Sequence, residues 1–284
     1  MSALFVFGLG YSAGVLARAL AAEGWRIAGT SREGGRAEDG MALQPFTRGA
    51  PLADAAAALA GTTHLLLSIP PDAAGDPVLA EHAAAIAGLT GLRWLGYLST
   101  TGVYGDRGGG WVDEAAALRP TGERGRRRVA AEEGWLALGR EHGLPVHIFR
   151  LAGIYGPGRS ALDAVRQARA QRVDKPGQVF SRIHVADLAA VLRASMAAPN
   201  PGAVYNVADD DPAPPEAVIA YAATLLGVAP PPLVPFAAAQ LSAMAKSFYD
   251  DNKRVANRRI KEELGVRLRY PSYRDGLAAQ LQEE

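Results

Sequence analysis

Glycines near the start of the chain are spaced so that a phosphate group could approach the backbone. In the stretch LFVFGLGYSAGVLARAL, the residues at 8, 10 and 13 fit the spacing G-x-G-x-x-G/A. The first glycine allows a tight turn out of a strand, the second leaves room for a pyrophosphate, and the small third residue lets a helix pack closely. The free N–H groups at the start of that helix would bind the phosphates. The predicted dinucleotide site comprises Gly8, Gly10, Tyr11, Ser12, Ala13 and Gly14.

The end of the second predicted strand bears on the choice of cofactor. Residues 25–30 form that strand, which ends in Thr30 and is followed by Ser31 and Arg32. In such folds a carboxylate here binds the 2′-hydroxyl of NAD, whereas an arginine accommodates the 2′-phosphate of NADP. Hydroxyl groups and a guanidinium form a suitable phosphate-binding set, and Arg36 is a further candidate. We therefore predict NADP, against the alternative that Arg32 is a solvated turn residue.

Strands and helices alternate through the first half of the chain, which predicts a doubly wound parallel sheet. After the first strand, further strands are expected at residues 25–30, 41–46, 64–69, 92–99 and 146–151, with helices at 52–60, 76–89 and 122–140. Ligands of such sheets bind beyond the carboxyl ends of the strands. Ser68, Ile69 and Pro70 are therefore candidates to line the cofactor cleft, or they form only a strand end.

The pattern is less regular beyond residue 151. We predict a loop at 153–160, a helix at 161–171, a strand at 179–185, a helix at 187–197, a strand at AVYNVAD and a helix at 215–226. Prolines at 230–235 precede a largely helical remainder. The expected fold is α/β, with an NADP-binding Rossmann body at residues 1–155. Residues 156–284 would complete that body and form a smaller, largely helical substrate lobe.

Composition excludes several kinds of protein. With 284 residues, 49% of them hydrophobic, the chain can bury a large core, and a net charge of +1 provides no field for nucleic acid or an anionic membrane. The absence of cysteine excludes disulfides and thiolate catalysis. Five histidines without ligand spacing predict no metal site. We do not expect the short, glycine-broken N-terminal run to be a signal or membrane span, and we expect a cytoplasmic protein that acts on a small molecule.

Five separate stretches resemble the extended short-chain dehydrogenase/reductases, the NAD(P)-dependent epimerase/dehydratase family. They are GLGYSAG, STTGVYGD followed by WVDE, RLAGIYGPG, RIHVADLA and YNVADD, which occur in the family's order up to about residue 226. The resemblance implies a homodimer formed through helix 122–140. It also implies cofactor contacts from Gly8, Gly10, Gly14, Ser31, Arg32, Ser68 and Thr100.

The family transfers hydride with a Ser/Thr, a Tyr-x-x-x-Lys pair and an upstream asparagine. The resemblance places the hydroxyl at Thr100, with its two neighbours as alternates, and the asparagine near Asp76. It places Arg124 at the tyrosine position and Arg128 at the lysine position. A guanidinium remains protonated and cannot shuttle a proton. Arg128 could still hydrogen-bond a ribose or an anionic group, and the departure resembles the family's atypical members.

An enzyme would need another proton donor in place of the tyrosine. Tyr104 and Tyr155 are best placed by the family's topology, although each is alternatively a packed aromatic, and Asp76 and Asp113 are the carboxylate candidates. The first hypothesis is an NADP-dependent oxidoreductase or epimerase/dehydratase-like protein acting on a nucleotide sugar or another small polar carbonyl or alcohol. The second is a non-catalytic NADP(H)-binding regulator. The glycine turn disfavours a cofactor-independent scaffold.

Basic residues elsewhere are candidates for contacts with an anionic substrate. The arginines at 124–128 are expected to form a solvated helix face, partly neutralised by Arg128 and Glu132 at i,i+4 spacing. Residues 253–254 could hold an anion if the lobe folds over the cleft. His184 lies in a stretch that the family uses near substrate. For each of these, a solvated or locally bonded structural role is the alternative.

Overall fold

Strands and helices alternate along the protein. The computed structural model describes residues 2–37 and 40–283. Within them the strands are β1 (Ala3–Phe7), β2 (Arg26–Ser31), β3 (Gly35–Arg36), β4 (Ala42–Pro45), β5 (His64–Leu67), β6 (Trp94–Thr100), β7 (Trp111–Val112), β8 (Val146–Leu151), β9 (Gly153–Tyr155), β10 (Arg172–Asp174), β11 (Arg182–His184), β12 (Val204–Val207), β13 (Leu233–Pro235) and β14 (Arg254–Val255).

The helices follow the strands in the expected order. They are α1 (Tyr11–Ala22), α2 (Ala55–Leu59), α3 (Pro77–Ala87), α4 (Glu123–His142), α5 (Ala161–Arg166), α6 (Val185–Ala197), α7 (Pro215–Leu225), α8 (Ala243–Phe248), α9 (Arg258–Glu262) and α10 (Tyr273–Glu283). A 3-10 turn over Thr101–Tyr104 follows β6 directly. None of the described helices is long and apolar enough to span a membrane.

The central sheet is doubly wound. In the described residues it contains eight strands in the order β12-β8-β6-β5-β1-β2-β4-β3. The neighbouring strands run parallel except for β3, which is antiparallel to β4. After β1, the chain adds β2 and β4 on one side of β1. It then crosses back and adds β5, β6, β8 and β12 on the other side. The predicted α/β architecture is confirmed, and AVYNVAD contributes the edge strand β12.

Apolar side chains cover both faces of the sheet. Every residue of β1 is buried, and alternate side chains of a strand point to opposite faces. Leu4 and Val6 pack in the cluster that includes α1 and α6. Phe5 and Phe7 pack on the other face, in the cluster that includes Trp135 of α4. This two-sided burial explains why the first strand is a continuous apolar run.

Several predicted elements have different bounds. The helix expected at 52–60 is only α2, because Asp54 caps it by accepting the N–H of Ala57. The helix expected at 161–171 ends with α5, and the positive φ of Ala168, 53°, turns the chain towards β10. The predicted loop at 153–160 contains β9, which pairs with β11. Three-residue strands such as these have too little periodicity to be recognised in a sequence.

Residues after β12 form a mixed lobe that is joined to the body by strand pairs and by Asn252. β13 pairs with β10, and β14 pairs with β7. The carbonyl of Asn252 accepts the N–H groups of Arg107 (3.0 Å) and Gly109 (2.9 Å). Its side-chain amide donates to the carbonyl of Gly177 (2.9 Å). The lobe is therefore held against the loop that follows β6.

A buried ion pair connects helix α4 to the sheet. Glu132 of α4 and Arg150 of β8 are 2.7 Å apart, and their side chains are 2% and 6% exposed. Ser99 of β6 donates to the same carboxylate. Arg150 also donates to the hydroxyl of Tyr104 (3.0 Å), which in turn donates to Asn206 of β12 (2.7 Å). We call these five residues the buried polar network.

We predict that Glu132→Gln destabilises the protein strongly. The variant leaves the charge of Arg150 buried without its counter-ion, a change that costs on the order of 3–5 kcal/mol. The measurement is the free energy of unfolding in urea. The neighbouring Glu133 is exposed, so Glu133→Gln is the matched control and should change stability little. Equal losses in the two variants would contradict this assignment.

Candidate functional site

The candidate site lies where the loops after β1, β5 and β6 meet. β1 has β2 on one side and β5 on the other, all parallel. The connections after β2 and β5 run to opposite sides of β1. A crevice therefore forms beyond the carboxyl ends of the strands at this point. Crevices of this kind are where doubly wound sheets bind ligands.

The first glycine of the turn is required by the protein's own packing. Gly8 has a φ of 86°, and a Cβ added to it would lie 2.7 Å from Cγ1 of Ile69. Its N–H donates to the hydroxyl of Thr30 (2.9 Å). Thr30 is fully buried, so this hydrogen bond ties the turn to the interior of the protein. Ile69 likewise packs against the turn, which places the end of β5 beside it.

The second glycine is not required by the protein's own packing. Gly10 has an extended backbone, with φ −107° and ψ −161°, and a Cβ added to it would meet nothing within 4 Å. It is exposed and forms the N-cap of α1 without a side-chain cap. The N–H groups of the first turn of α1 therefore remain available to an anion.

The predicted neighbours in the turn have different roles. Ser12 is half-buried in the first turn of α1, whereas Ala13 and Gly14 are buried. The hydroxyl of Tyr11 donates to the carbonyl of Pro157 (3.1 Å). The loop after β9 is thereby held beside the start of α1.

Two exposed arginines follow β2, one directly after it and one in β3. Ser31 accepts the N–H of Gly34 (2.9 Å), which closes a tight turn. Arg32 is exposed next to this turn. Arg36, also exposed, donates to the carbonyl of Gly40 (2.8 Å). Ser31 and Arg32 thus lie at the carboxyl end of β2, the strand next to β1.

Thr100 is the last residue of β6 and is half-buried. Its Oγ1 accepts the N–H of Gly102 (3.1 Å), and in the described chain no acceptor is bonded to its hydroxyl proton. This proton is available to a ligand. β5 and β6 are neighbours in the sheet, so the loop of Ser68 and Pro70 lies one strand away from Thr100.

Arg128 lies beside β6 and forms hydrogen bonds with it. It donates to the hydroxyl of Tyr97 (3.2 Å) and to the carbonyl of Leu98. The predicted pairing of Arg128 with Glu132 is wrong, because Glu132 faces the sheet and binds Arg150. Burial raises the pKa of Tyr97, although the charge of Arg128 acts against this. Tyr97 therefore stays protonated.

Neither tyrosine proposed as a proton donor lies open to the crevice. Tyr104 is fully buried and belongs to the buried polar network. Tyr155 is 7% exposed and donates to the carbonyl of Ser272 (3.2 Å). Burial raises the pKa of both phenols. The interpretation of either as a proton donor is not supported, because both hydroxyl protons are bonded inside the protein.

The two carboxylate candidates are also engaged in local structure. Asp76 caps α3 by accepting the N–H groups of Val78 and Leu79, both at 2.9 Å. Its second oxygen accepts from the indole of Trp135 (3.2 Å), and burial raises its pKa. Asp113 is exposed and accepts the N–H of Ala115 (3.0 Å). Asp76 is thus the N-cap of α3, with Pro77 at the first helical position.

Sequence analysis missed Asp209, which follows β12 at the same edge of the sheet. It is 1% exposed, and its Oδ2 has no hydrogen-bond partner in the described chain. Burial raises its pKa to about 8, with a smaller upward effect of Asp210 and Asp211 and a downward effect of Arg182. The available signal was the aspartate pair in YNVADD, at the end of a predicted strand.

The remaining candidates serve local structure. His184 caps α6 by accepting the N–H of Ala186 (3.2 Å), and burial lowers its pKa to about 4. Lys253 pairs with Asp251 (2.9 Å), and Arg254 donates to the carbonyl of Gly109. Among the described residues there is no group of side chains that could hold a metal ion.

Comparison with known proteins identifies the family. A sequence model of the NAD dependent epimerase/dehydratase family matches residues 5–208, which is most of the chain. The chain belongs to this family. Family membership agrees with the doubly wound sheet and with the glycine turn between β1 and α1.

Known family members and solved structures resemble the chain over nearly its whole length. A conserved protein of unknown function from Silicibacter pomeroyi is 54% identical, with a TM-score of 0.90 and coverage of 100% of this chain and 99% of that one. Protein YeeZ of Escherichia coli (strain K12) is 28% identical over 310 residues, covering 95% of this chain and 97% of its own. UDP-glucuronic acid 4-epimerase from Bacillus cereus, solved with UDP-glucuronic acid and NAD, has a TM-score of 0.80 at 15% identity, with coverage of 99% and 98%. The last likeness shows a shared fold.

We predict that Asp209→Asn stabilises the protein increasingly as pH rises. A carboxyl whose folded pKa is about 8 keeps its proton when folded but loses it near pH 4 when unfolded, so stability falls between these values. Asparagine does not ionise, so the variant does not lose this stability as pH rises. The gain should grow from pH 4 to pH 8, reach the order of a few kcal/mol, and then level off. Thermal unfolding at several pH values measures it, and a gain that does not depend on pH would refute the interpretation.

Proposed function

We propose that the protein binds a nicotinamide dinucleotide at the glycine turn and acts as an oxidoreductase or epimerase/dehydratase-like protein on a small polar carbonyl or alcohol compound. The observation that carries this is the uncapped N-terminus of α1 at Gly10, where a Cβ would meet nothing within 4 Å and no side chain of the described residues caps the helix. The epimerase from Bacillus cereus, which contains NAD and a nucleotide sugar, supports the proposal and makes nucleotide sugars one substrate group to test.

Residues around the turn have distinct roles in this proposal. Gly8 shapes the turn, and Gly10 leaves the space into which the pyrophosphate fits. Residues 68–70 line the wall at the end of β5. Thr100 donates a hydrogen bond from its free hydroxyl to the reacting oxygen. In the described chain Arg128 is bonded to β6 through Nη1 alone, so its other N–H groups hold the ribose or an anionic group. The nicotinamide, when bound, supplies or accepts the hydride.

We propose NADP as the preferred cofactor. Ser31 and Arg32 stand at the end of β2, where the adenosine ribose of such cofactors lies. Arg32 has no hydrogen bond or ion pair within the described chain. An exposed guanidinium of this kind fits a phosphate monoester. Glu33, which is also exposed, follows it within the turn.

A second candidate function is a non-catalytic NADP(H)-binding regulator. It is favoured by the engagement of Tyr104, Tyr155 and Asp76 inside the protein. The two functions differ in turnover. A regulator would bind NADPH without oxidising it in the presence of UDP-glucose, UDP-glucuronic acid or a panel of small carbonyl compounds.

We further propose that the protein is cytoplasmic and forms a homodimer through α4. We also propose that it binds neither nucleic acid nor a membrane. Family resemblance supports the dimer, and the near-neutral net charge of +1 supports the other parts. Light scattering of the purified protein measures the oligomeric state.

We expect Gly10→Ala to weaken NADPH binding at least tenfold while leaving the fold intact, because the added Cβ enters the space proposed for the pyrophosphate. Fluorescence titration measures affinity and thermal unfolding measures stability. Gly122 is a matched control. It is an exposed N-cap with φ −110° and ψ 164°, and a Cβ there also meets nothing within 4 Å. If Gly10→Ala and Gly122→Ala bind NADPH equally well, the cofactor does not bind at this turn.

NADPH should bind at least tenfold more tightly than NADH. Arg32→Glu should abolish this preference, because a carboxylate repels the 2′-phosphate and accepts a 2′-hydroxyl. Arg93→Glu is the control, since Arg93 is exposed just before β6, at the end of the strand opposite the crevice. Calorimetric titration of both cofactors is the measurement. Equal affinities of the unmodified protein for NADPH and NADH would rule out the NADP assignment.

A further inference from the structure

Arg124, at the position of the family's tyrosine, has its hydrogen-bond donors free. Its guanidinium carbon lies 5.3 Å from the centroid of the Phe248 ring. No hydrogen bond or ion pair within the described chain includes this guanidinium. The other arginines of this part of the helix have partners within the protein. Arg126 and Arg127 pair with Glu123, and Arg128 donates to β6.

Helix α4 begins beside Thr100. A Cβ added to Gly125 would lie 2.9 Å from the carbonyl oxygen of Gly102, so the helix can approach the end of β6 only with a glycine at this position. The N–H of Gly102 is bonded to Thr100 (3.1 Å). Arg124 lies four residues before Arg128, on the same face of α4, and Arg128 reaches Tyr97 and Leu98 of β6. Arg124 is therefore placed one helix turn further along, on the side of the end of β6.

Contact with Phe248 holds this guanidinium between the body and the lobe. Phe248 belongs to α8 and is 53% exposed, so its ring also presents an apolar surface to a ligand. A cation over an aromatic ring is attracted to its face, and the N–H groups of Arg124 have no acceptor within the described chain. The planar N–H edge of a guanidinium matches the two oxygens of a carboxylate.

We propose that Arg124 binds the carboxylate of an oxo acid whose carbonyl oxygen lies at Thr100, or of the corresponding hydroxy acid in the reverse direction. This rests on the proposed oxidoreductase function. The carbonyl carbon would receive a hydride from a bound reduced nicotinamide, which would thereby be oxidised by two electrons. The carbonyl oxygen takes a proton from water, because Arg124 keeps its protons and Thr100 donates only a hydrogen bond. The product is a hydroxy acid.

The first test compares acids with uncharged analogues. Pyruvate, 2-oxobutyrate and 2-oxoglutarate are incubated with NADPH and the full-length protein, alongside their amides and methyl esters, and NADPH oxidation is followed. We expect kcat/KM to be at least tenfold higher for an acid than for its amide. Equal rates for acid and amide, or no turnover of any acid, would overturn the inference.

The second test uses Arg124→Gln, with Arg126→Gln as the control. Arg126 is an exposed arginine of the same helix turn that pairs with Glu123. Arg124→Gln should lower kcat/KM for the acid at least tenfold through KM, leave the amide unaffected and leave the melting temperature unchanged. Arg126→Gln should change kcat/KM less than twofold. The inference is wrong if the two variants behave alike.

A third measurement does not depend on turnover. Oxamate, an unreactive carboxylate, is titrated into the NADPH complex by calorimetry, and its binding should be lost in Arg124→Gln and weakened several-fold in Phe248→Leu. Failure of oxamate to bind the NADPH complex contradicts the carboxylate site alone. Failure of NADPH itself to bind contradicts the proposed function, so the two failures are distinguishable.

Discussion

The buried ion pair of Glu132 and Arg150 holds together the elements that surround the end of β6. A buried charge that loses its counter-ion destabilises a protein strongly, so α4 and β8 cannot shift independently of each other. Ser99 donates to the same carboxylate, which also fixes the end of β6. Thr100, the next residue, is thereby held at a defined place in the crevice. The position of the candidate catalytic hydroxyl thus depends on a buried charge pair within the protein.

The same network gives the stretch around Tyr104 a structural role. Its hydroxyl accepts from Arg150 and donates to Asn206, so it links the turn after β6 to two further strands. Removing it would leave buried polar groups without partners, which is costly. Resemblance in this stretch therefore reflects structural requirements as well as chemistry. The cofactor end of the crevice differs, because Gly10 is not required by the protein's own packing.

The lobe completes the crevice from the opposite side. Asn252 bonds both to the loop after β6 and to the stretch before β11, so its position is fixed relative to Thr100. Phe248, four residues earlier, then meets Arg124 of α4. The side chain of α4 at this meeting point is an arginine, and its charge is permanent. We therefore infer that this part of the crevice binds an anion and does not transfer a proton.

Local sequence determined the alternation of strands and helices, the glycine turn and the caps of helices, since each depends on residues close together in the chain. Gly8, Asp76 and the apolar β1 were predictable for this reason. Only the tertiary structure decided which side chains are free. The hydroxyl of Tyr104 donates to Asn206, 102 positions away. Glu132 pairs with Arg150, 18 positions away, and not with the nearby Arg128. A sequence shows that these groups can form hydrogen bonds, but burial and distance between remote segments determine their partners.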